Sequence, residues 1–195
     1  MAIIDLAGTY DPGTRRLGSL NCNFVFPSDA NDRFCFNAFG ATTLGKTVPS
    51  WDYKVASGSS VFAAAAGVVT RIEAETHPLY PGEFEIETRA APGGTYLVIY
   101  DHVRTPQVAL GSAVTAGMLL GIAGIHTSNR DAYGRVELQI NRVLDRSTGR
   151  SEALCPRTFG TDRFNQLNDA ALAAHNSANP QFAYASVCLA DRVQP

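Results

Sequence analysis

At 195 residues the chain is long enough for one well-buried core with a small appendage. Hydrophobic residues make up 45% and charged residues 17%, which suits a globular domain and excludes broad disorder. A net charge of −2 gives no electrostatic case for nucleic acid as a partner, and no apolar run is long enough to span a bilayer.

The opening, MAIIDLAGTYDPGTRR, has neither the basic leader nor the sustained apolar stretch of a signal peptide. Residues 1–33 are rich in Gly, Pro, Asn and Asp and read as an irregular arm. Residues 34–159 are strand-like almost throughout. Trp51–Val69, WDYKVASGSSVFAAAAGVV, reads as two short strands joined by a Gly-Ser turn. Further runs fall at Ser60–Ala63, Gly67–Ala74, Phe84–Arg89, Thr95–His102, Met118–Ala123 and Arg135–Asn141. Pro92-Gly93-Gly94 separates two of them as a hairpin turn. No helical periodicity competes in this region, so the expected core is mainly β, of antiparallel strands.

Residues 160–195 differ. Thr161-Asp162 is placed to cap a helix running to about Asn176, with Phe164, Leu167, Ala171 and Leu172 on one face. Pro180 follows, and Phe182, Tyr184, Val187 and Leu189 suggest a closing strand or packed coil covering the β domain. The four cysteines, Cys22, Cys35, Cys155 and Cys188, lack the spacing of a zinc ribbon or redox motif. Two disulfides are expected, which places the chain outside the reducing cytosol. Three pairings are open, the local one (Cys22–Cys35 with Cys155–Cys188) being the simplest, and four buried thiols are the alternative to bridging.

An internal echo points to a particular architecture. Gly58-Ser59-Ser60-Val61-Phe62-Ala63 and Gly111-Ser112-Ala113-Val114-Thr115-Ala116 share G-S-x-V-x-A, where each Gly allows a tight corner and each Val points into the core. This is similar to the half-repeats of barrel-sandwich hybrid folds. Phe39-Gly40, Asp52 through Val61, Tyr100-Asp101-His102-Val103, Gly111 with Val114 and Gly117, and Arg135 through Ile140 follow one another in a familiar order. Across Phe34 to Phe159 the chain resembles the lysostaphin/LytM-type zinc endopeptidases, which cut peptidoglycan cross-links.

The resemblance implies a site built from three zinc ligands and two assisting histidines, with a fourth zinc position left for water. Carried over, the ligand positions are Val48, Asp52 and Glu137, and the assisting positions are Arg135 and His102. Only Asp52 and His102 are the family's residues. Valine cannot hold a metal, and two carboxylates without imidazole make a poor zinc site. Residues two apart on a strand share a face, so Arg135 and Glu137 should lie together near Asp52, the guanidinium standing where the cation would be.

Each of these residues also has a plain structural reading: Asp52 as a strand-start hydrogen-bonding group, His102 as a packed strand residue. His126 lies in the loop before Arg135 and reads as a solvated histidine, although it could in principle supply a ligand. His77 and His175 have no partner evident in sequence. The expected function is that of an extracytoplasmic LytM-like domain with a degraded zinc site, without cofactor, holding a peptidoglycan peptide or a protein in its groove, along an exposed strand edge. The alternative is a divergent zinc metalloendopeptidase. A biotinyl or lipoyl carrier is disfavoured, since neither Lys46 nor Lys54 sits at a hairpin tip between the half-repeats.

Overall fold

The structure is a computed structural model that describes residues 36–43, 45–55, 58–90, 94–125, 134–178 and 180–194. The N-terminal arm, Cys22, Cys35 and His126 lie outside the described residues. The strands are β1 (Phe36–Asn37), β2 (Thr42–Thr43), β3 (Lys46–Thr47), β4 (Trp51–Val55), β5 (Ser60–Phe62), β6 (Gly67–Ala74) and β7 (Glu83–Arg89). There follow β8 (Tyr96–Arg104), β9 (Ala113–Val114), β10 (Leu119–Ile125), β11 (Gly134–Asp145), β12 (Arg150–Leu154), helix α1 (Asp162–Ala178) and β13 (Arg192–Val193).

All but β2 and β3 belong to one antiparallel sheet, whose main path runs β1-β4-β11-β10-β8-β7-β6-β9. The sheet is not closed: β1 and β9 end the path, and β5, β12 and β13 branch from it. The half-repeats are legible in its corners. Gly58 and Gly111 both take positive φ (74° and 81°), and Val61 and Val114 are both buried.

Period-two alternation splits the sheet into a core face and a site face. On β4, Trp51 and Tyr53 enter the core while Asp52 points the other way; on β11, Val136, Leu138 and Ile140 enter it while Arg135, Glu137 and Gln139 do not. Val98 and Tyr100 of β8 complete the apolar layer. Tyr100 Oη accepts the Ala64 amide at 2.7 Å, so the one polar atom of that ring is satisfied.

Helix α1 covers the core face, as its apolar stripe implies. The Thr161 hydroxyl accepts the Phe164 amide at 3.2 Å and so caps the first turn. Phe164 is fully buried against Trp51, ring centroids 5.3 Å apart. The Tyr53 hydroxyl donates to Asn168 at 2.7 Å. The closing segment is fastened just as closely. The Trp51 indole donates to the Val187 carbonyl at 2.7 Å, Phe39 bridges Cys188, and β13 pairs with β12. A Cys155–Cys188 disulfide joins the end of β12 to this segment. None of the described helices is long and apolar enough to cross a membrane.

Two departures from the sequence reading matter for the site. Strand β8 runs two residues past His102, and β11 extends to Asp145 to pair with β12, a strand whose RSEAL sequence carries no β-branched residue to announce it. Replacing Phe164 with Ala should lower unfolding free energy by about 3–5 kcal/mol, read as a shifted denaturant midpoint with unchanged m-value.

Candidate functional site

The site lies where strand pairing forks. Asp101 of β8 pairs with Glu137 of β11, but Val103, two residues on, pairs with Ala123 of β10. Beyond the fork, Gly124 and Ile125 of β10 pair with Arg135 and Gly134, so β10 is wedged between β8 and β11. His102 is the residue at the bend. Its φ of 60° lies in the left-handed region, which costs a non-glycine residue about 1–2 kcal/mol, and it is 4% exposed.

Carboxylates hold the ring in that place. Glu83 Oε2 lies 2.7 Å from Nδ1, while Nε2 is 3.5 Å from Glu137 Oε1 and 3.7 Å from Asp101 Oδ2. The backbone helps as well, since the His102 amide donates to Asp101 Oδ1 at 2.7 Å. Glu83 is itself 2% exposed and accepts the Ile125 amide at 2.6 Å. Its carboxylate rests directly on Gly124, where a Cβ would come within 2.5 Å of Oε1, so a side chain there would have to push Glu83 away from His102 and the Ile125 amide.

Arg135 stands between Asp52 and Glu137. Nε donates to Asp52 Oδ1 at 3.1 Å, Nη2 donates to Glu137 Oε1, and Nη1 donates to the Tyr80 hydroxyl at 3.1 Å. Asp52, 2% exposed, receives a further bond from Asn37 Nδ2 at 2.9 Å, and Asn37 Oδ1 accepts from the Tyr184 hydroxyl at 3.1 Å. The Ser50 hydroxyl donates to the second oxygen of Glu137. Tyr80, carried on the turn between β6 and β7, also packs edge-on against His102 at 4.6 Å.

These neighbours set the charges. Burial, the largest influence on His102, opposes protonation, as does Arg135; bonds to Glu137 and Glu83 and the charge of Asp101 outweigh them and raise its pKa from 6.5 to about 9. Burial alone would raise the pKa of Glu137, but Arg135 and then His102 hold it below its ordinary value. Arg135 is raised well above its ordinary value: burial works against the charge, and Asp52 and then Glu137 overcome it. Burial, reinforced by Glu137, raises Asp101 despite the opposing charge of His102. The result is two cations, the imidazolium and the guanidinium, among four carboxylates.

The structure thus brings Asp52, Arg135, Glu137 and His102 together, with Val48 half-buried four residues before Asp52. Sequence reasoning missed Glu83, Ser50, Tyr80, Asn37 and Asp101 as members of the cluster. Only Asp101, adjacent to His102, carried a signal in its position. His77 borders the cluster, its ring 5.3 Å from that of Tyr80 and its Nδ1 accepting the Leu79 amide at 3.3 Å; buried His175 meets the Phe182 carbonyl at 3.2 Å and stacks on Tyr184. Asp101, His102 and Glu137 each offer one donor atom within 4.8 Å of the others, the geometry of a possible cation site.

No protein-family model and no curated protein sequence matches the chain. Among solved structures it is similar to lysostaphin, an antimicrobial peptidase from Staphylococcus simulans, at 20% identity and a TM-score of 0.49 over 72% of this chain and 52% of that one. It is also similar to LytU (21% identity, TM-score 0.48, 70% of this chain and 90% of that one). A third is a mutant catalytic domain of the prophage-encoded protein EnpA from Enterococcus faecalis (18%, 0.44, 61% and 88%). The chain thus spans about half the length of lysostaphin. The likeness is to the lysostaphin/LytM-type fold that the motifs resemble, and it concerns the fold alone.

Two outcomes are expected. Arg135→Leu should cost about 3–5 kcal/mol of stability by leaving Asp52 and Glu137 buried without their counter-charge. His102 has a folded pKa above its unfolded value, so its stabilisation is complete below pH 6.5 and lost as pH rises through about 9. Urea unfolding across that window should show wild-type stability falling, and His102→Gln should flatten the slope.

Proposed function

We propose that the chain is an extracytoplasmic LytM-like domain that binds a cell-wall peptide or a protein segment in its groove without hydrolysing it. The observation that carries this reading is the Arg135 guanidinium between Asp52 and Glu137. Zinc hydrolases need an open coordination position where bound water loses a proton near neutral pH. A guanidinium supplies positive charge and directed hydrogen bonds, but it neither coordinates water nor ionises it.

The remaining donors fit zinc poorly. With His102 protonated, both ring nitrogens carry hydrogens aimed at carboxylates, so neither offers a lone pair. Val48 stands at the position of the first family ligand and adds an apolar side chain instead. A dication placed between Asp52 and Glu137 would meet the charge of Arg135 at hydrogen-bond distance. Extracytoplasmic placement is supported by the Cys155–Cys188 disulfide.

A second reading, a divergent zinc metallopeptidase, is favoured by one observation: the convergence of donor atoms from Asp101, His102 and Glu137. It requires His102 to give up a proton and a carboxylate partner to admit the metal.

Metal content and hydrolysis separate the two. The purified chain should carry far less than one zinc per molecule and release no peptidoglycan fragments in a chelator-sensitive manner. Stoichiometric zinc with chelator-sensitive release would establish the second reading. The triple substitution Val48→His, Arg135→His and Glu137→His should create a site that takes up one zinc. A folded triple variant that binds none would show that these positions do not correspond to the family's ligands.

A further inference from the structure

The site face does not stop at the Arg135 cluster. Along the paired strands the residues Glu137 and Asp101 are followed by Gln139 beside Ile99, then Asn141 beside Leu97, with Glu87 and Arg89 of β7 flanking them on the far side of β8. All of these share the face opposite the core. Asn141 lies four residues along β11 from the acidic end at Glu137, about 13 Å of extended strand.

At the Asn141 end the face deepens into a cavity of about 440 Å³. Leu97, Ile99 and Val143 give it an apolar floor, and Arg71, Arg89 and Arg146 are among its walls together with one carboxylate, Glu87, which faces Arg71. Two of these guanidiniums converge on one neutral atom. Arg89 Nη1 donates to the Gly94 carbonyl at 2.8 Å and Arg146 Nη2 donates to the same oxygen at 3.1 Å. Arg71 is paired with Glu73, Glu85 and Glu87, but among the described residues Arg89 forms no ion pair. Arg89 carries five N–H donors and gives one to this carbonyl, which leaves its planar, cationic fork at the cavity wall.

We propose that this end of the groove is a carboxylate-recognition site. It takes the free C-terminus of an extended peptide of about four residues, its last small apolar side chain over Leu97 and Ile99. The charge pattern sets the direction. The carboxylate lies on Arg89 and Arg146, and the amino end or a cationic side chain lies toward Asp101 and Glu137. This deepens the reading of the groove as a peptide-binding surface and rests on it.

The test uses tetra-alanine with a free C-terminus and the same peptide as its C-terminal amide, titrated into the isotope-labelled chain. The free acid should bind at least about tenfold more tightly, with amide shifts concentrated at Arg89, Leu97 and Asn141, about 1.4 kcal/mol in free energy. Arg89→Gln should bring acid and amide within about twofold of each other, as expected for loss of one charge-assisted hydrogen-bonding group. Arg146→Gln, on an exposed turn, gives the same readout without touching a strand. Equal affinity for acid and amide, with shifts along Gly134–Asn141, would keep the peptide groove and overturn the carboxylate site. A folded Arg89→Gln chain that retains the tenfold preference would overturn it too. Absence of shifts with either peptide would overturn both. Cleavage of the peptide would remove the non-catalytic reading alone and leave the acid-to-amide ratio to decide the carboxylate site.

Discussion

The ion cluster at Arg135 is the constraint around which the site face is organised. Asp52 and Glu137 are neighbours across the β4–β11 ladder, and two buried carboxylates so placed repel each other strongly in a medium of low dielectric. A cation between them relieves that repulsion and keeps both ionised. Here the chain supplies that cation covalently, from the same strand as one of the carboxylates. Hydrogen bonds from Asn37 to Asp52, from Ser50 to Glu137 and from Arg135 to the Tyr80 hydroxyl then satisfy further polar groups of the cluster, so the charges are both paired and solvated by protein.

The fork at His102 is a second constraint coupled to the first. Strand β8 leaves β11 and joins β10 by turning at His102 through a conformation that disfavours a side chain. Glu83, Asp101 and Glu137 surround the ring and offset that cost with charge-assisted contacts. Glycine at position 124 makes room for the Glu83 carboxylate that meets Nδ1 of the ring. Backbone strain, a buried ion pair and a glycine contact are thus one structural unit, shared between four strands.

How much of this the sequence disclosed depended on whether a signal was local. The alternation Trp51-Asp52-Tyr53 and the spacing Arg135-x-Glu137 put the right side chains on the right face, because strand period two is a local property. Strand β6 was bounded correctly from its own residues, and the Thr161 cap marked the helix start. The partners that complete the cluster were hidden for the opposite reason. Glu83 reaches His102 from 19 residues away, Ser50 reaches Glu137 from 87, and Tyr184 reaches Asn37 from 147, and nothing in their neighbouring residues signals it. The left-handed turn at His102 was invisible as well, since it arises from a change of strand partner and not from a turn motif. Register, once folded, creates chemistry that composition does not announce.

Saturation of the strand edges has its own consequence for recognition. Over the groove, β8 is paired with β7 on one side and β11 on the other, while β11 is paired with β8 on one side and with β4 and then β12 on the other. With strands flanking both sides of β8 and β11, neither is a sheet edge, so a peptide lying over them does not dock as an added strand. It must lie over the pleat and be read through the protruding side chains. Discrimination in such a groove falls on the guest's charges and its bulk rather than on its backbone, so a terminus or a single methyl group counts for more than length.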